Sequence, residues 1–260
     1  MTAILMKFLL DRYYKDGQLL NARYEIIKTV GAGSFGLIYL CRDIENNEMK
    51  IAKQLRKSKR LKKGGLELFE NEISILGQLN HSNLPTLYDH FSTKKNHFYV
   101  MDYIEAENLD EKIFIHNQMF NEKTALSLFS DLLQVIDYLH SQRIYHLDLR
   151  IPNIILKESE PYVIDFGLAK NMAGNEQDQQ HVEEAMRQQD YYDLGDILLF
   201  LLYTEFDSDS KKALPWTEEL TLKKETTHLL KRLLGIETAY TSAAEITADL
   251  NRALQLYKRT

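Results

Sequence analysis

The chain has 260 residues, 44% of them apolar and 27% charged, with 11 Gly and 4 Pro. That length suits one large domain or two joined lobes, and the composition excludes a mainly disordered chain or small domains strung on flexible linkers. A net charge of −6 leaves no broad basic face for nucleic acid, and the single Cys41, with no Cys/His cluster, excludes a disulfide scaffold or zinc framework and points to a reducing, cytoplasmic compartment.

Residues 1–22 read as an N-terminal extension. The first ten are apolar, but Lys7 interrupts the run, Asp11 and Arg12 end it, and no small-residue cleavage site follows. The pattern predicts a short amphipathic helix with Ile4, Leu5, Phe8 and Leu9 on one face, a stripe that would suit a homodimer or a partner helix. No stretch approaches the ~20 apolar residues of a membrane span.

Strand patterns then occupy 24–30, 37–42 and 49–55, separated by a glycine turn and an Asn46-Asn47 turn. Helical periodicity covers 66–79, a strand returns at 97–103, and beyond Asp110 the chain reads as mostly helical, most clearly at 123–142. The fold class expected is α+β, with a strand-rich lobe over 23–102, a helical lobe over 108–254 and a tail at 255–260.

Gly31-Ala32-Gly33-Ser34-Phe35-Gly36 matches G-x-G-x-x-G. Alone this string is weak, because dinucleotide-binding folds use it to open a helix. Here Leu37-Ile38-Tyr39-Leu40-Cys41 follows, which is β-branched and aromatic, so the glycines cap a hairpin. Such a loop can lay backbone N–H groups over a polyphosphate, although an ordinary Gly-rich hairpin reads equally well from these residues by themselves. His146-Leu147-Asp148-Leu149-Arg150-Ile151-Pro152-Asn153 is more specific, and twelve residues past Asn153 an apolar strand delivers Asp165-Phe166-Gly167. Phosphoryl transfer needs these groups: a carboxylate to hold and deprotonate a hydroxyl, and hard oxygen ligands for Mg²⁺. The bland alternative is Asp and Asn capping two loops.

Taken in order, these motifs resemble the eukaryotic-type (Hanks-type) serine/threonine protein kinases, and in particular the small bacterial members without a membrane anchor. The resemblance implies a bilobal protein-kinase-like fold and an ATP-dependent kinase acting on Ser/Thr hydroxyls of proteins, with Mg²⁺, or Mn²⁺ in its place. It casts Lys53, seventeen residues past Gly36, as the lysine that grips the α- and β-phosphates, and Glu72, nineteen further on, as its orienting partner. Asp148 resembles the catalytic base, Arg150 a cation beside the transferred group, and Asn153 and Asp165 the metal ligands. Ile38, Leu109 and Ile155 fall where adenine is sandwiched, Met101 at the gatekeeper, and Asp102, Tyr103 and Ile104 at the hinge. Asp190 falls where a helix anchors the base of the site.

Four departures from that family pattern stand out. Leu147 replaces the arginine usual before the catalytic Asp, and 165–190 contains no Ser, Thr or Tyr, so phosphorylation of this segment is not expected to switch the enzyme. The A-P-E motif is absent, and Tyr240 stands where its arginine partner would be. Arg150 replaces the usual Lys. Ile51 takes an alanine position on the Lys53 face, where extra methylenes would crowd the nucleotide. Six basic residues, Arg56, Lys57, Lys59, Arg60, Lys62 and Lys63, read as a solvated loop or as a docking surface for an acidic partner. The missing A-P-E keeps a small-molecule or atypical kinase as an alternative, and Ile51 keeps a pseudokinase scaffold.

Overall fold

β-Branched and aromatic residues dominate the first third of the chain, and they pair as their alternation demands. A computed structural model describes residues 13–32, 36–93, 96–174, 179–206 and 214–257. The amphipathic stripe of the first ten residues, and Gly33, Ser34 and Phe35 of the glycine loop, lie outside the described residues. Strands β1 (Leu19–Leu20), β2 (Tyr24–Ala32), β3 (Gly36–Asp43), β4 (Met49–Leu55), β5 (Leu87–Thr93) and β6 (Asn96–Asp102) form an antiparallel sheet in the order β1-β2-β3-β4-β6-β5.

Over 13–22 the chain is not helical. It turns at Gly17, where φ is 79°, and β1 then pairs with β2 so that Leu20 is fully buried. Glycine enters the left-handed region at no steric cost, and burying Leu20 on the sheet is worth about 2 kcal/mol. One sheet face is apolar throughout: Leu37, Tyr39, Cys41, Ala52, Phe98 and Val100 pack with Leu20, Tyr24 and Ile26, and Tyr13 and Tyr14 lie against them. Burial there pushes the Cys41 thiol up to about 12, which makes it inert. The other face carries the row Ile38, Lys53, Tyr99 beside the row Leu40, Ile51, Met101.

The basic tract at 56–63 is not simply a loop. Lys57–Arg60 forms a turn of helix, α1, Gly64 reverses the chain at φ 79°, and α2 (Gly65–Leu76) follows. A Cβ at Gly65 would lie 2.1 Å from the Lys59 carbonyl oxygen, so only glycine fits that elbow. Phe69 of α2 meets Tyr99 with ring centroids 5.3 Å apart, which sets the helix on the Lys53 face of the sheet.

The rest of the chain is mainly helical: α3 (Leu109–Phe114), α4 (Glu122–Ser141), α5 (Gln180–Tyr203), α6 (Trp216–Glu219), α7 (Lys224–Leu233) and α8 (Ala243–Gln255). Asn108, Asn121 and Ser242 cap α3, α4 and α8 with their side-chain oxygens. Helix α4 buries Leu128, Leu132, Val135, Ile136 and Leu139 at helical spacing. Short strands β7 (Ile144–Tyr145), β8 (Ile154–Lys157), β9 (Glu160–Val163) and β10 (Lys170–Asn171) form two hairpin-like pairs, β8 with β9 and β7 with β10. The chain divides into two compact units, one ending at Glu105 and including Phe166–Leu168, the other made of Ala106–Asp165 and Ala169 onward.

Helix α5 approaches α7 at Gly195, where a Cβ would lie 2.7 Å from the Leu233 Cβ. Gly195→Ala is therefore expected to destabilise the protein by about 1–3 kcal/mol despite alanine's better helix propensity. An unchanged or raised midpoint in urea unfolding would show that the helices part freely.

The surroundings of Tyr240, where the family resemblance would place the arginine partner of A-P-E, are closely paired. Tyr240 is buried, its hydroxyl donates to Asp249 at 2.7 Å, and Arg232 covers its ring at 3.8 Å while donating to Asp249 at 3.1 Å. Gln188 of α5 donates to the Tyr240 carbonyl at 2.6 Å, and the buried Asp249 also meets Arg252. No buried carboxylate is left without a cation at this point.

Candidate active site

In the first unit the alternation of β4 puts Lys53 on the same face as Ile51, and α2 delivers Glu72 opposite it. Lys53 Nζ and Glu72 Oε1 are 2.6 Å apart, with side chains only 6% and 2% exposed. The same Glu72 oxygen accepts from the Tyr99 hydroxyl at 2.8 Å, so the carboxylate is held by two donors from adjacent strands. Tyr99 is a positioning contact that spacing alone does not reveal, because it depends on the β4–β6 register.

The described glycines of the hairpin flank its turn, and Gly36 runs close to Lys53. Register places Gly31 opposite Ile38 and Ala32 opposite Leu37. A Cβ at Gly31 would make only ordinary contact with Ile38, at 3.7 Å, whereas one at Gly36 would lie 2.9 Å from Lys53 Cγ and 3.2 Å from the Gln54 carbonyl. Gly36 is thus glycine so that the strand can pass Lys53. Gly36→Ala is expected to push the lysine aside and weaken nucleotide binding about tenfold, as read by titration, with little loss of fold. Undiminished affinity would show that Lys53 accommodates the methyl.

Ile51 pairs with Leu40 and Met101 and is buried on the Lys53 face. The Asp102 carboxylate turns to the sheet: it accepts from Thr86 N at 2.9 Å and from the Tyr88 hydroxyl at 2.8 Å, and Lys50 lies 3.7 Å away and 3.4 Å above the Tyr88 ring. Burial opposes its charge, but these donors hold Asp102 below the usual carboxylate range. Among the described residues, no hydrogen bond engages the backbone of Tyr103 or Ile104.

In the second unit Asp148 sits on the loop between β7 and a 3-10 turn, Ile151–Asn153. Asn153 Nδ2 donates to the Asp148 carbonyl at 2.9 Å and to Oδ2 at 3.1 Å, and the exposed Arg150 has Nε 3.5 Å from Oδ1. His146 is fully buried. It accepts from Asp148 N through Nδ1 at 3.3 Å and donates from Nε2 to the Ile164 carbonyl at 3.2 Å, which joins the Asp148 loop to the strand before Asp165. Burial pushes its pKa down, so the neutral imidazole that this geometry requires is the stable form. Asp190 of α5, also fully buried, accepts from His146 N at 3.0 Å, Leu147 N at 2.8 Å and His140 Nε2 at 2.8 Å. Asp165 is exposed, with φ at 65°, a conformation Asp tolerates better than most residues. Ile155 pairs with Tyr162 and bridges to Asn108, and Leu109 beside it is fully buried.

The protein kinase domain family matches residues 24–193. The probable serine/threonine-protein kinase YbdM of Bacillus subtilis (strain 168) is 45% identical to this chain over 252 residues, 97% of each. The chain belongs to the protein kinase family. Its α+β fold is that family's. CBL-interacting protein kinase 15 of Oryza sativa subsp. japonica is 32% identical over 163 residues, 62% of this chain and 37% of that protein. CBL-interacting serine/threonine-protein kinase 12 of Arabidopsis thaliana is 34% identical over 152 residues, 58% of this chain and 31% of that protein.

In this kinase Asn153 and Asp165 are a donor set that suits the Mg²⁺ the family generally uses. Asn153 spends its amide nitrogen on Asp148 and has a hard oxygen in Oδ1, and Asp165, an exposed residue, has carboxylate oxygens of the same kind. Among the described residues no group of three His, Cys, Asp or Glu side chains could hold a metal ion by itself. Two protein oxygens are enough for a cation that brings phosphate oxygens with it. No described helix is long and apolar enough to cross a membrane.

Sequence reasoning missed one carboxylate near this loop. Glu183 of α5 lies beside Arg143, whose Nε donates to it at 3.2 Å, and beside Tyr145, whose hydroxyl donates at 3.0 Å. The Arg143 guanidinium holds the Glu183 carboxyl below its usual range. In the sequence it lies within a Gln- and Glu-rich stretch, 175–189, that carries no motif.

Proposed function

We propose that this kinase transfers the γ-phosphoryl of ATP to Ser or Thr hydroxyls of proteins, the activity that the name of its Bacillus subtilis relative gives for that protein. Bound Mg-ATP would supply the phosphoryl group and a cation that neutralises charge on its oxygens. Lys53, oriented by Glu72 and Tyr99, would bind the α- and β-phosphates. The backbone of Asp102, Tyr103 and Ile104 would meet the adenine edge beside Met101, Ile38 and Ile155. Residues 31–36 would cover the phosphates, and Asn153 and Asp165 would hold the cation. Asp148 would orient the acceptor hydroxyl and take its proton, with Arg150 adding positive charge nearby. A cytoplasmic setting suits a chain whose one thiol is buried and reduced.

The observation that carries this reading is the buried Lys53–Glu72 pair. Two desolvated charges are costly, and an interaction scaffold would do as well or better with apolar residues there. A lysine that must present a charge to phosphate explains the pair, which weighs against a pseudokinase. The test is incubation with labelled ATP and Mg²⁺, alone and with generic protein substrates, followed by mapping of the modified residues. Phosphoserine or phosphothreonine outside 165–190 is expected. No incorporation under any condition would overturn the reading.

A second reading, transfer to a small-molecule hydroxyl, is favoured by one observation: α5 already begins at Gln180, fifteen residues past Asp165, which leaves little chain for a peptide platform. A metabolite panel phosphorylated in preference to every protein would select it.

A further inference from the structure

Helix α5 touches the chain around the Asp148 loop twice. At Asp190 it binds the amides of His146 and Leu147, and Leu147 has φ at 62°, a region that a branched side chain enters only under outside support. Seven residues earlier, two turns along the same helix face, Glu183 receives Arg143 and Tyr145, which lie immediately before that loop.

This second contact is more than a surface ion pair. Arg143 donates through both Nε and Nη2, Tyr145 adds its hydroxyl, and the Glu183 side chain is only 14% exposed. Arg143 is itself at φ 56°, and its carbonyl accepts from Met172 N at 2.9 Å. β7, which contains Tyr145, pairs with β10, through which the chain leaves the Asp165 segment. One carboxylate therefore secures both the strand entering the loop and, through β10, the strand leaving the Asp165 turn. With no Ser, Thr or Tyr between Asp165 and Asp190, nothing in this segment can acquire a phosphate to do the same work.

We infer that Glu183 is a positioning residue, a permanent clamp that holds the Asp148 loop in its working conformation and makes activation-segment phosphorylation unnecessary. The inference rests on the kinase reading proposed above. It predicts a larger effect on kcat than on nucleotide binding, because Lys53, Glu72 and Tyr99, which would grip the phosphates, belong to the other unit.

The experiment compares wild type with Glu183→Ala, Glu183→Gln and Tyr145→Phe. Three quantities are read: kcat, KM for ATP, and hydrogen exchange at the amides of His146 and Leu147. Glu183→Ala is expected to lower kcat about tenfold with KM for ATP within about twofold, and to speed exchange at those amides. Glu183→Gln, which keeps an acceptor oxygen, should fall between Ala and wild type, and Tyr145→Phe should lower kcat about threefold. Should Glu183→Ala fail to fold, the Gln and Phe variants decide by the same readouts. Wild-type kcat and exchange in Glu183→Gln and Tyr145→Phe would overturn the inference, as would equal losses of kcat and ATP affinity, the mark of general loosening. A wild-type protein without kinase activity would defeat the proposed function instead, and the exchange rates would still judge the clamp.

Discussion

Replacing Asp148 with Asn is expected to lower turnover by about 10² to 10⁴ while ATP binding stays within about twofold of wild type. Asparagine has the shape of aspartate, and its carbonyl oxygen can still accept from Asn153, which lies 3.1 Å from Oδ2 in the native loop. It cannot take a proton, and it removes the charge that faces Arg150. The loss should therefore fall on kcat. Steady-state transfer from labelled ATP gives kcat, and the nucleotide-induced shift in thermal midpoint gives binding. Turnover within about threefold of wild type would remove Asp148 from the reaction.

Lys53→Met should act on both stability and activity, and the two can be separated. Glu72 would remain buried without its cation, still accepting from the Tyr99 hydroxyl, and breaking a buried pair in this way costs about 3–5 kcal/mol. ATP-induced stabilisation should disappear and kcat/KM should fall by about 10² or more, since the phosphates lose a charge-assisted donor. The double variant Lys53→Met, Glu72→Leu removes both charges and should recover most of the stability with none of the activity. Urea midpoints and transfer assays on wild type, Lys53→Met and the double variant make the comparison. If the double variant unfolds as easily as the single one, the buried charge is not the source of the instability.

How much of this was legible beforehand follows from the range of the interactions involved. The strand pairs from Tyr24 to Leu55, the Glu72 helix and α4 follow local alternation, which a linear reading samples directly. The motif residues lie together within each unit because loops and strand ends a few residues long carry them: Asn153 reaches Asp148 across five positions. By contrast, the strand at Leu19–Leu20 went unread, because its pairing with β2 beyond the turn at Gly17 is set by the partner strand rather than by a local pattern. The tract at 56–63 read as a loop because charged residues carry no periodic signal, yet two glycines fold it into an elbow with α1.

From the amino-acid order alone came the family, the α+β class, the candidate residues Lys53, Glu72, Asp148, Asn153 and Asp165, and the absence of Ser, Thr and Tyr between Asp165 and Asp190. Only the folded chain decided that Tyr99 shares the Glu72 oxygen, that Gly36 is small to clear Lys53, that Tyr240 donates to the buried Asp249, and that Glu183 grips Arg143. The difference is physical. Pattern and spacing record what neighbours along the chain require of each other, whereas a hydrogen-bond partner twenty-seven or forty positions away is set by sheet register and helix packing.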